Sequence, residues 1–167
     1  MKPQDEVDRI VEAWQRERPD LDPAPLQVFS RLSRLARQLE LARRAAFTGR
    51  GLESGAFDVL SALRRAGEPY ELTPGKLLAE TLVTSGTMTN RIDRLTRAGY
   101  VQRAKDASDG RVVLVRLTAE GKEVVDAALA DLLAWEAELL EGLDSSDQDA
   151  LAGLLRRLAA PFEASAN

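Results

Sequence analysis

Apolar residues recur at helical spacing along most of this 167-residue chain, and strand-like alternation is confined to one place. Val7, Ile10, Val11 and Trp14 predict an amphipathic first helix, which Arg18-Pro19 ends because a residue before proline is pushed out of the helical region. Residues 20–25 read as a linker. A long second helix is expected over about 25–47, with Leu32, Leu35, Leu39 and Ala42 inward and arginines outward, until Gly49 and Gly51 break it. Leu52, Ala56, Val59, Leu60 and Leu63 mark a third helix over about 53–66. Gly67-Glu68-Pro69 is a turn, and Tyr70-Glu71-Leu72 fits a one-rung strand.

Thr73 caps a short fourth helix with Pro74 at its first position, where the missing N–H costs nothing, and this helix ends near Thr81. Thr84 or Ser85 caps a fifth helix that stops at Gly99. Residues 100–105 and 111–117, rich in Val, Leu and Tyr, read as two strands joined by a turn over 106–110. Thr118-Ala119-Glu120-Gly121 opens a long sixth helix to about Leu143. Ser145 or Ser146 caps a seventh to Ala160, with Leu151, Leu154, Leu155 and Leu158 on one face. The fold class is therefore mainly α with a single β-hairpin, and no internal repeat is visible.

The fifth helix divides cleanly at about 100° per residue. Met88, Ile92 and Leu95 share one side, with Gly99 on the same bearing, while Gly86, Thr87, Asn90 and Arg94 point the other way and Arg91 lies on a flank. Arg pairs with guanine, Asn with adenine, and Thr reaches a thymine methyl or a phosphate. Gly86 near the helix start allows close approach to a phosphate backbone. Such a face suits a DNA major groove; taken alone it equally suits a solvated surface. The short helix before it and the hairpin after it add the helix-turn-helix and wing context. Arg103, Lys105 and Arg111 flank the hairpin tip, where a guanidinium can enter a minor groove. The plainer alternative there is a surface hairpin in which Asp109 and Arg111 pair with each other.

Net charge is −4, which argues against nucleic acid until it is divided along the chain. Residues 84–118 hold seven basic side chains (Arg91, Arg94, Arg97, Arg103, Lys105, Arg111, Arg116) against three acids (Asp93, Asp106, Asp109). Residues 119–167 hold three basic side chains against eleven acids, so the basic part would face phosphates and the acidic tail would point away. The absence of cysteine and histidine excludes disulfides, thiolate zinc sites and histidine-based catalysis. With no phosphate-cradling glycine loop or nucleophile elbow, and with acid pairs such as Glu136/Glu138 on a solvated helix face, no enzyme, cofactor or metal site is expected. No run of about 18 apolar residues would span a membrane. The start, MKPQDEVDRI, lacks a signal-peptide core, so a cytoplasmic location is the expectation.

The pattern Asp106-x-x-Asp109-x-Arg111, a β-run and Leu117-Thr118-x-x-Gly121, preceded by the helix from Thr84 to Gly99, resembles the MarR family of bacterial winged-helix regulators. The order of seven helices and a wing matches over about the whole chain. The resemblance implies a winged helix-turn-helix fold with N- and C-terminal dimerisation helices, a homodimer, palindromic DNA sites and release by a small ligand. The candidate DNA contacts are Thr84, Ser85, Thr87, Asn90, Arg91, Arg94, Arg103, Lys105 and Arg111. One departure is visible: where the family wing often has two adjacent arginines, the first is Gly110, which leaves Lys105 or Arg103 to compensate. Trp14, the Arg18-Pro19-Asp20-Leu21 boundary, Phe57-Asp58-Val59-Leu60 and Thr89-Asn90-Arg91-Ile92-Asp93-Arg94 are similar to the urate-responsive branch, the HucR and PecS type, whose close relatives respond to citrate or aconitate. That likeness makes Trp14, Asp58 and Arg91 candidates for an anionic-ligand pocket. From the residues alone, Trp14 reads equally as a core or interface side chain, and Asp58 as solvent-exposed or covered by the first helix.

The expected organisation is 1–52 as N-terminal helices for dimerisation and a pocket wall, 53–118 as the winged DNA-binding domain, and 119–167 as C-terminal dimerisation helices. The expected function is a ligand-responsive homodimeric repressor that binds double-stranded DNA through 84–99 and 100–117. The alternative is a helical dimeric interaction protein without sequence-specific DNA binding.

Overall fold

The computed structural model describes residues 4–81, 84–105, 109 and 111–164. The chain divides into two compact units, Met1–Ala56 and Phe57–Asn167. In the first, α1 (Glu6–Glu17) and α2 (Leu26–Thr48) pack together. Asp5 caps α1 and forms a reciprocal capping box with Asp8, satisfying backbone donors that an isolated helix start would leave open. Val7 and Val11 are buried on the predicted stripe. Arg31 of α2 ties the same helix start down, reaching Asp5 and Asp8 at 2.8 Å each, and Arg34 reaches Glu6 at 2.6 Å. Gly49 caps α2 and Gly51 adopts φ +70, so the helix stops where the glycines predicted. Leu35, expected inward, is 56% exposed. Periodicity tells which residues share a side, not whether anything covers that side.

The second unit carries most of α3 (Ser54–Arg65), then β1 (Glu71–Leu72), α4 (Pro74–Thr81), α5 (Ser85–Arg97), β2 (Val101–Lys105), β3 (Val113–Leu117), α6 (Ala119–Leu140) and α7 (Ser145–Ala164). The three strands form one antiparallel sheet in the order β1-β3-β2. The register pairs Val101 with Leu117, Arg103 with Val115, and Leu72 with Val115 on the other edge. Val59, Leu60 and Leu63 of α3, Leu77 of α4, Met88, Ile92 and Leu95 of α5, and Val101, Val115 and Leu117 of the hairpin are all buried. This is the expected mainly α, winged helix-turn-helix fold.

Thr118 joins the hairpin to α6. Its hydroxyl donates to the Gly99 carbonyl (2.7 Å) and accepts from the Gly121 N–H (3.0 Å), while its own N–H donates to the Tyr100 carbonyl. A Cβ on Gly121 would fall 2.0 Å from that Tyr100 oxygen, so the glycine of the Leu-Thr-x-x-Gly pattern is there for close backbone approach. Arg64 of α3 pairs with Asp126 of α6 at 2.8 Å and lies over the Tyr70 ring, and it holds the Asp126 carboxyl below the ordinary carboxylate range.

Several boundaries differ from expectation: β3 begins at Val113 rather than Arg111, and α5 ends at Arg97, two residues before Gly99. α6 ends at Leu140 rather than about Leu143. α7 starts at Ser145 because Asp144, not Ser145 or Ser146, accepts the Asp147 N–H at 2.8 Å. It also runs past Pro161 to Ala164 instead of ending at Ala160. Leu129, Leu133 and Leu139 of α6 and Leu151, Leu154, Leu155 and Phe162 of α7 are exposed. Among the described residues, no helix is long and apolar enough to cross a membrane.

Candidate nucleic-acid interface

Thr84 caps α5, its hydroxyl receiving the Thr87 N–H. The cap sets where the helix begins and therefore which residues point outward. Met88, Ile92 and Leu95 are buried, and Gly86, Thr87, Asn90 and Arg94 are exposed, as the angular reading required; Ser85, the first residue of the helix, is exposed as well. No atom lies within 4 Å of where a Gly86 side chain would begin, so that end of the helix is open to a close approach. Gly99 is exposed, not buried: it lies beyond the Ala98 cap at φ +80, where the helical angle no longer applies. The Thr87 hydroxyl lies 3.0 Å from that of Thr84, so these two act together at the helix start. Arg91 is half-buried on the flank, and its Nη1 is buried without a hydrogen-bond partner. An unsatisfied buried guanidinium nitrogen is costly.

The wing cations are partly neutralised by their own neighbours. Arg103 donates from Nη2 to Asp93 of α5 at 2.6 Å. Arg111 reaches Asp109 at 3.1 Å while its side chain stays 91% exposed. That is the plain hairpin pairing anticipated for these two, and the Arg111 hydrogen bonds hold the Asp109 carboxyl below its ordinary range. Arg116, counted among the basic residues of the segment, is a sheet residue: it pairs with Glu71 on β1 at 2.6 Å. Lys105 is exposed at the end of β2. Asp106, Ala107, Ser108 and Gly110 of the tip lie outside the described residues.

Sequence reasoning missed Asp93 as a partner. It stands ten residues from Arg103, a separation no local spacing rule addresses. The strand register does carry a signal, since Arg103 sits opposite fully buried Val115 and shares its face with Val101 and Leu117. A charge on that face needs a nearby acceptor.

The three ligand-pocket candidates are divided between the units. Trp14 belongs to the first, where it is 50% exposed and lines an apolar recess of about 310 Å³ with Arg18, Leu21, Pro23, Pro25 and Leu26. It is not a core tryptophan of the single chain. Asp58, in the second unit, is exposed. Among the described residues no cluster of acids could hold a metal.

A sequence model described as MarR family matches residues 50–112, from just past α2 to the turn before β3. The HTH-type transcriptional regulator PecS of Dickeya dadantii is 33% identical over 153 residues, covering 92% of each chain. Among solved structures, a MarR mutant from E. coli complexed with operator DNA superposes with a TM-score of 0.68 at 24% identity, over 81% of this chain and 96% of that one. BpsR of Bordetella bronchiseptica, whose DNA binding is regulated by 6-hydroxynicotinic acid, superposes with a TM-score of 0.61 at 25% identity, over 76% of this chain and 91% of that one. A capped helix with one buried and one open polar face, a hairpin hydrogen-bonded into the helix that follows, and kinship along nearly the whole length lead to one conclusion: the chain belongs to the MarR family of winged-helix transcriptional regulators, on its PecS-like branch.

Proposed function

We propose that this protein is a homodimeric repressor that binds a palindromic operator and lets go when a small anion binds. The observation that carries the reading is the outward face of α5, where Thr87, Asn90 and Arg94 stand together over a buried Met88–Ile92–Leu95 side. These are the side-chain types that read base edges in a major groove, with Ser85 and Thr84 at the helix start in reach of a phosphate. Lys105 and Arg111 supply the wing cations. The winged domain is 53–118, and the apolar faces of the terminal segments, 1–52 and 119–167, join two copies.

Arg91 supports the effector half of the proposal. Its unpartnered Nη1 has hydrogen-bonding capacity left for an anion, and it sits one residue from Asn90 on the reading helix. The aromatic carboxylate that regulates BpsR has the chemistry of such a ligand, being planar and anionic. An anion held at Arg91 and an operator would favour different positions of α5, which would couple effector binding to release.

A gel shift with the protein's own upstream DNA at two salt concentrations tests the first half. Specific retardation that weakens steeply with salt is expected, because bound phosphates release counterions. No retardation even in dilute buffer would reject the reading and leave a dimeric interaction protein in its place. Titrating urate, citrate and trans-aconitate into the complex tests the second half. Release by one of them, lost in Arg91→Ala, is expected.

A further inference from the structure

We infer that Arg103 is a positioning residue, and that its ion pair with Asp93 sets the angle of the wing against the reading helix. The inference rests on the DNA-binding reading of α5 and the hairpin. It reassigns one of the residues that its place beside the hairpin tip made a candidate for DNA contact.

Four observations carry it. The Arg103 Nη2 to Asp93 Oδ1 distance is 2.6 Å, a charge-assisted hydrogen bond at the short end of the range. Arg103 lies directly opposite Val115, which is fully buried, and shares its sheet face with buried Val101 and Leu117. Its side chain therefore starts on the inner face of the hairpin and runs back toward α5. Asp93 immediately precedes Arg94 and is three residues from Asn90, so the bond lands on the turn of α5 that carries the proposed base-reading side chains. The two side chains remain 50% and 43% exposed. A pair that exposed adds little to stability, so its removal leaves the domain folded while freeing the wing to swing.

Electrostatics give the inference a sign. Asp93 is a negative charge beside a surface that would meet phosphates. If Arg103 contacted DNA directly, removing Asp93 would free that cation and delete a repulsion, so binding would strengthen. If Arg103 acts through Asp93, removing either partner misaligns the wing and binding weakens.

The experiment measures operator affinity and its salt dependence for wild type, Asp93→Ala, Arg103→Ala and the exchanged pair Asp93→Arg with Arg103→Asp. Hydrogen exchange of the β2 amides is followed in the protein without DNA. The expected result is an affinity loss of about two- to fivefold in Asp93→Ala, the scale of a surface ion pair. Affinity should recover in the exchanged pair, with the salt slope of Arg103→Ala unchanged and faster β2 exchange in both single variants. Tighter binding by Asp93→Ala, or a salt slope reduced by about one in Arg103→Ala, would identify a direct phosphate contact and overturn the inference. Should wild type bind no duplex, the DNA reading fails on its own. The anchoring is then judged by exchange alone: faster β2 exchange in Asp93→Ala upholds it, and unchanged exchange removes it.

Discussion

Arg94 and Arg111 occupy contrasting settings, and their substitutions should fail in different ways. Arg94 stands on the outward face of a rigid, capped helix beside Asn90, where a planar guanidinium can address one base edge. Arg94→Ala is expected to cost about 1–3 kcal/mol of operator binding and to relax preference at one position, as a selection over randomised operators would register. Arg111 sits next to the hairpin tip with its side chain 91% exposed. Arg111→Ala is expected to weaken binding evenly across sequences and to lower the salt slope by about one. An Arg94→Ala protein with unchanged affinity and preference would refute the assignment of the groove face. At this scale the sequence was readable wherever a residue's role follows from its position on a helix. Angular position alone placed Thr87, Asn90 and Arg94 outward. It could not reveal that Arg103 and Arg116 are engaged by Asp93 and Glu71, because those pairs are made across the fold.

At the scale of elements, two junctions decide how the parts are held. The first is the start of α6, where Gly121 lies against the Tyr100 carbonyl. Gly121→Ala should destabilise the second unit by about 1–3 kcal/mol, read as a lower denaturation midpoint at constant slope, because backbone rather than a flexible side chain must move aside. The second junction is α1 on α2. The Asp5 and Asp8 carboxyls are held below their ordinary range, each first by the other's backbone N–H and then by Arg31. Groups depressed on folding contribute stability that is present above the unfolded value of about 3.9 and is lost as pH falls through the folded value. The contact of α1 with α2 should therefore loosen below about pH 4, and exchange protection at Val7 and Val11 should fall there before that of the α3 core. Loss of that protection already near pH 6 would contradict the carboxylate origin. Caps and stops were legible in the chain because they are local. Thr84, Gly51, Gly99 and the cap that Thr118 makes to Gly121 all act within a turn, and Asp144 was missed only because two serines follow it.

At the scale of the whole molecule, α6 and α7 leave a row of leucines uncovered. Leu154 is 59% exposed and Phe162 75%, and Leu151, Leu155 and Leu158 flank them. Monomeric soluble proteins rarely leave such a stripe in water. Light scattering at micromolar concentration is expected to report a dimer, and Leu154→Glu with Leu158→Glu is expected to convert it to monomer and abolish operator binding. A monomeric wild type would contradict the proposed assembly.

The sequence by itself determined the order of helices, the single hairpin, the face that α5 buries and the family to which the chain belongs. Each follows from spacing, turn chemistry or a short motif, which are properties of neighbours along the chain. Only the tertiary structure decided which cations are already engaged, which apolar faces stay uncovered and why Gly121 cannot carry a side chain. These depend on groups ten to forty-five residues apart meeting at a few ångströms, and a linear pattern holds no distances of that kind.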